Sequence, residues 1–269
     1  MSADKRHVNI DVDGFRRAFL GNIQRLQDHV RACYGGLRHL TTRAYAEATP
    51  DYVFVIAPNA MLDLEHAREF SLQWLARSFF RDVIDQVNTY LDHCFDKALV
   101  ASVVTRQPGA CKDEPEARRR FRDFKKLGLP VKLERLEQDF ALKSDVAEHI
   151  VTVNAVRNCL VHRLGVVRSE DVGEDGTLQL RLRRSRLHIT DAKTGFSGPA
   201  EFGRFYEDAT ARTVVDDSLR SFPLGEHIVF EVEELFDCVH TVALFDASMG
   251  NSFVALAQRF GLKTNPPTA

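Results

Sequence analysis

Several things are scarce in this 269-residue chain, and each scarcity excludes something. Cysteine is limited to Cys33, Cys94, Cys111, Cys159 and Cys238. The count is odd, the spacing is wide, and no C-x-x-C pair occurs. That argues against a disulfide framework and a thiolate zinc site, and favours a reducing, cytoplasmic setting. No run of about 18 apolar residues exists, so no membrane span is expected. The N-terminus, MSADKRHVNI, lacks the apolar stretch of a signal peptide. A surplus of charge is absent too. With 36 Lys and Arg against 38 Asp and Glu, the formal net charge is −2. No global basic field pulls the chain onto nucleic acid, so any RNA contact must come from local patches. There is no G-x-S-x-G, no Gly-rich phosphate loop and no internal repeat. No metal or cofactor is expected.

What is present reads as a globular, mainly α chain: a single helical domain over 1–269, carrying a β-rich insertion. Apolar residues at helical spacing, Phe15, Phe19, Leu20, Ile23, Leu26 and Val30, predict helix over 12–47, with Gly35-Gly36 dividing or kinking it. The run Tyr52 to Ile56 is either a strand or an extended connector. Residues 60–99 carry the longest helical pattern, with an apolar stripe wide enough for packing on more than one side. After a loop at Pro108-Gly109 and Pro115, residues 116–126 read as a short basic helix closed by Leu127-Gly128-Leu129-Pro130. Val131–Leu142 reads as another helix. Residues 144–162 follow, with Ser144 as N-cap, Asp145 and Glu148 in the first turn, and Gly165 as the stop. Leu178, Leu180 and Leu182, alternating with Gln179, Arg181 and Arg183 and followed by Leu187 and Ile189, predict a half-buried strand or hairpin inside an insertion at 168–225. Helix returns over 231–260, with Met249-Gly250-Asn251 as a dividing point. Lys263–Ala269 reads as a disordered tail.

The chemistry lies in the helix at 144–162. At 100° per residue, Val146, Val153, Val156 and Leu160 form a core face. Asn154, Asn158 and His162 stack at spacings of four on another face, with Arg157 on its flank. Charged and polar groups on an otherwise apolar helix are costly unless paired or facing a cleft. A histidine titrates near neutral pH and can take the proton of a ribose 2′-hydroxyl. An arginine stays charged and can steady a phosphate as negative charge builds on it. The nucleophile would belong to the substrate, so no metal is required.

The segment Arg157-Asn158-Cys159-Leu160-Val161-His162, followed by Gly165, resembles the motif of HEPN domains. There an Arg, often followed by a polar residue, precedes a His by four to six positions near the end of a core helix. The likeness covers about 20 residues. It implies an HEPN-like helical bundle and a metal-independent endoribonuclease acting as a homodimer with two motifs at one cleft. It also implies a setting in toxin–antitoxin or anti-phage systems, with a cognate antitoxin as partner. Arg157 and His162 would then be catalytic, with Asn158 as supporting polar residue. One HEPN subgroup carries a modified Tyr two residues after the His. That position is Leu164 here, so that regulation is not implied. The β-rich stretch departs from a minimal HEPN bundle.

Other groups compete for these roles. Arg181 and Arg183 before His188, and Arg220 before His227, have similar spacing but fall on alternating strand or loop sequence. Arg118, Arg119, Arg120, Arg122, Lys125 and Lys126 form a basic run broken by Phe121 and Phe124. Arg118, Arg119 and Arg122 are RNA-binding candidates, although the i, i+3 spacing of the two Phe favours a solvated helix docked through them. Arg183 and Arg184, in the cluster Arg181 to Arg186, are a second candidate grip on phosphate, or charges that protect an edge strand. Asp82, Asp85 and Asp92 lie near one stripe of the long helix and can pair with Arg157. His66 and His93 are too far apart to join them in a metal site. The competing class is a non-catalytic binding module with the same bundle.

Overall fold

The computed structural model describes residues 11–48, 63–106, 115–201 and 203–262. The Tyr52–Ile56 run, the Pro108-Gly109 turn, Cys111 and the 263–269 tail lie outside those residues. The described chain is mostly helical with one small sheet. In order it forms α1 (Val12–His39), α2 (Thr42–Glu47), α3 (Leu64–Arg106), α4 (Pro115–Lys125), α5 (Leu129–Phe140), α6 (Ala147–His162), β1 (Thr177–Asp191), β2 (Phe196–Pro199), β3 (Ala209–Pro223) and α7 (Val232–Arg259).

The 43 residues of α3 span about 65 Å at 1.5 Å per residue and form the axis of the molecule. Their wide apolar stripe is used on several sides at once. Phe79, Phe80, Val83, Val87, Leu91 and Cys94 are all buried, and α1, α4, α5, α6 and α7 all pack on this helix. No helix of the described residues is long and apolar enough to cross a membrane.

The sheet has the order β2-β1-β3. β1 and β3 form a long antiparallel ladder from Thr177↔Pro223 to Asp191↔Ala209. Leu178, Leu180 and Leu182 are buried where β1 packs on α6 and α7. The alternation then changes phase. Leu187 is exposed while Ile189 and Asp191 are buried, so Leu187 does not continue the inner row.

Four local expectations need correction. Helix α1 runs unbroken through Gly35-Gly36 and ends at His39. A helical Gly costs about 1 kcal/mol against Ala, and packing of Val30, Cys33 and Tyr34 against the core outweighs it. Leu129-Pro130 opens α5 rather than closing α4, because Pro occupies the first helical turn, where its missing N–H is harmless. Helix α6 starts at Ala147 without a side-chain cap. Ser144 Oγ accepts from Val146 N–H at 3.1 Å instead, and the Asp145 carboxylate is drawn away to Ser248 and Arg183. Helix α7 is continuous through Gly250. A Cβ there would lie 2.5 Å from the Arg16 guanidinium carbon. The glycine makes room for the 2.8 Å ion pair between Arg16 and the buried Asp246.

Candidate functional site

Helix α6 presents the two faces that its sequence demands. Ile150, Val153, Val156, Cys159 and Leu160 are buried, fixing the helix against α3, α7 and β1. This leaves Asn154, Arg157 and Asn158 on the wall of a crevice of about 610 Å³, between α3 and the α4–α5 turn. α3 contributes Ile84, Asn88, Thr89 and Asp92. The turn contributes Lys125, Leu127 to Pro130, and Lys132. The N-terminus of α5 opens here as well, and its cap residue Gly128 has no side chain to satisfy the first N–H groups.

The side chain of Arg157 is 21 % exposed, so it is neither sealed nor free in solvent. Its Nη1 donates to Asn158 Oδ1 at 3.1 Å. Its carboxylate neighbour, Asp85, lies 3.9 Å from Nη2, beyond hydrogen-bond reach. Its Nε is buried without a partner. That burial keeps Nε from a ligand, and Nη2 is the donor of this always-charged fork left to meet an acceptor such as a phosphate oxygen. Asn154 has no hydrogen-bond partner among the described residues, and Asn88 uses only its Nδ2, on Ile84 O at 3.1 Å.

His162 is the last residue of α6 and is exposed. It belongs to the stripe of Asn154 and Asn158, one turn or about 6 Å beyond Asn158, but its ring is not part of the crevice wall. Among the described residues it has no side-chain partner. The helix ends immediately after it, where Arg163 N–H and Gly165 N–H both donate to Cys159 O, at 3.0 and 3.2 Å. Gly165 has φ +83, a left-handed conformation that glycine adopts without strain. Between the two catalytic candidates, the Cys159 thiol is pushed up to about 11 by burial. It stays protonated at neutral pH and offers no nucleophile.

The other candidates are placed differently. Arg183 Nε meets Asp217 at 2.8 Å and its Nη1 meets Asp145 at 2.8 Å. Arg184 bonds Asp237 at 3.2 Å and Asp216 at 3.4 Å. Arg181 lies 3.5 Å from Glu148. These partners come from β3, α7, the first turn of α6 and the approach to it, so the arginines tie the hairpin to the bundle. On α4, Phe124 is buried and Phe121 packs against the core, which leaves the basic residues on the outer face. Arg119 pairs with Glu116 at 2.9 Å and Arg120 with Asp139 at 3.1 Å. Arg118 lines a separate small cavity with Asp96 and Val103. Arg122 is exposed and unpaired among the described residues.

Three crevice residues were not singled out from the sequence as a site. Lys125 falls in the basic run of α4, whose sequence fits a solvated helix face or an RNA track. Lys132 looks like an ordinary surface lysine, yet it is buried with its Nζ 2.7 Å from Asp92. Asn88 carried one legible signal, an amide set in the apolar part of α3. Among the described residues, no group of three or more His, Cys, Asp or Glu could hold a metal ion. No protein-family model matches the chain, and no curated protein or solved structure matches it either.

Proposed function

We propose that the C-terminal end of α6 cuts RNA by internal transesterification without a metal, in the manner of HEPN ribonucleases. One observation carries the reading. A guanidinium whose Nη2 has no hydrogen bond stands on a polar crevice, five residues along α6 from an exposed, unpartnered imidazole. In this reaction His162 takes the 2′-hydroxyl proton. The 2′-oxygen forms a bond to the adjacent phosphorus as the bond from phosphorus to the 5′-oxygen breaks. Arg157 steadies the charge that gathers on the phosphate, and Asn158 fixes the guanidinium through its 3.1 Å bond. The products are a 2′,3′-cyclic phosphate and a 5′-hydroxyl, whose proton returns from a histidine. A second copy of the chain supplies that histidine across a shared cleft. Phosphate contacts come from Lys125 and Arg122 rather than from Arg183 and Arg184, whose charges are matched within the chain. A defence or toxin role under the control of an antitoxin is the setting that fits such an activity.

The test is incubation of the purified chain with RNA in EDTA. Cutting that persists there, and disappears in both Arg157→Ala and His162→Ala with helicity unchanged, supports the reading. Cutting abolished by EDTA, or surviving either substitution, overturns it.

A second reading is a binding module without activity. It is favoured by the apolar surface beside the end of α6, where Leu164 and Val229 are each about half exposed or more. Leu164 and Val229 also line a cleft with Ala76 and Leu160. Exposed patches of this kind mark contacts with other proteins. On this reading the chain binds a partner protein and leaves RNA intact.

A further inference from the structure

The crevice is larger than a phosphate needs. Its volume of about 610 Å³ falls within the range of about 300–1,000 Å³ typical of small-molecule clefts. Its cations outnumber the acids beside them. Lys125, Lys132 and Arg157 line it, with Asp92 paired to Lys132 at 2.7 Å and Asp85 3.9 Å from Arg157. Opposite walls carry amides, Asn88 on α3 and Asn154 on α6. The Asn154 amide and the Asn88 Oδ1 are left without hydrogen bonds among the described residues. Leu127 and Pro130 supply the apolar surface between them, with Ile84 and Leu129 buried behind it.

Cations for a phosphate, apolar surface for a flat ring and a planar amide for its edge are the needs of one nucleotide. An Asn amide offers a donor and an acceptor in one plane, which matches the paired edge of a base. We propose that this crevice holds the nucleotide next to the cleaved phosphate. The phosphate sits on Arg157 and Lys125, and Asn154 and Asn88 read the base. The inference rests on the nuclease reading for its role but not for its test. It makes the substrate an unpaired strand, since a base inside a duplex cannot turn its pairing edge into a crevice.

The probes are the four ribonucleoside 3′-monophosphates and inorganic phosphate, titrated calorimetrically into the full chain in EDTA. At least one nucleotide is expected to bind about tenfold tighter than phosphate, the worth of one or two hydrogen bonds. Asn154→Leu should remove that advantage without weakening phosphate binding, and Lys125→Ala should weaken both alike. If Asn154→Leu fails to fold, Asn88→Ala carries the same expectation from the facing helix. Equal binding of phosphate and all four nucleotides, or an advantage that survives these amide substitutions, overturns the proposal. Nucleotide binding that depends on Asn154 in a chain that leaves RNA intact would sink the nuclease and keep the site. RNA cutting without any nucleotide advantage would do the reverse.

Discussion

The hairpin and the α6 crevice are both rich in arginine and lysine, and they use those charges in opposite ways. On the hairpin, Arg183 holds two carboxylates at 2.8 Å each, and Arg184 holds two more at 3.2 and 3.4 Å. In the crevice, Arg157 has a carboxylate only at 3.9 Å, and its Nη2 makes no hydrogen bond. A guanidinium matched within the chain fastens one element to another. One left short of acceptors is prepared for a ligand. The contrast teaches that basic clusters in a sequence identify cations, and that only the geometry of the acids around them shows which remain available.

The largest expected effect separates the two regions by function. Arg157→Ala and His162→Ala should each slow RNA cleavage about a thousandfold, within the range of general acid–base and electrostatic contributions. Circular dichroism should be unchanged. Arg183→Ala should leave cleavage within about twofold, so comparable losses at Arg183 and Arg157 would erase the distinction.

Stability should show the opposite ranking. Arg183→Ala is expected to cost about 1 kcal/mol in denaturant unfolding, since its bonds are charge-assisted but its acidic partners are largely exposed. A smaller loss there than in Arg122→Ala would contradict the fastening role.

Acid provides a further check. The Asp217 carboxyl is held below the usual range by its hydrogen bond from Arg183, and Asp145 by its bond from the Ser248 hydroxyl, with Arg183 adding attraction. Carboxylates whose folded pKa is depressed stabilise the fold above their unfolded value, about 3.9 for Asp. That stabilisation fades as pH falls through the folded values. The melting temperature should therefore hold between pH 7 and 5 and drop below about pH 4, and the drop should shrink in Arg183→Ala. A flat profile through pH 3 would remove these pairs from the account.

The smallest effect concerns salt. Lys125→Ala should weaken RNA binding about threefold and lower the slope of log affinity against log salt by about one. Arg184→Ala should leave that slope unchanged.

The sequence revealed the parts better than their assembly. The core face of α6, the amide stripe and the strand alternation through Leu182 follow from local period, and the structure has them where period places them. Helix limits were harder, because they depend on contacts far along the chain. Asp145 leaves the first turn of α6 for Ser248 and Arg183, 103 and 38 residues away. Gly250 looks like a break until Arg16 is seen beside it. The partners of the hairpin arginines were invisible for the same reason. The crevice itself exists only because α3, the α4–α5 turn and α6 meet, so Lys125, Lys132 and Asn88 could not be joined to Arg157 by spacing alone.

The most direct measurement is the chemical identity of the ends left on RNA cut by the purified chain in EDTA. The account predicts 2′,3′-cyclic phosphate on one fragment and a 5′-hydroxyl on the other. Uncut RNA, or fragments ending in 3′-hydroxyl and 5′-phosphate, would contradict it.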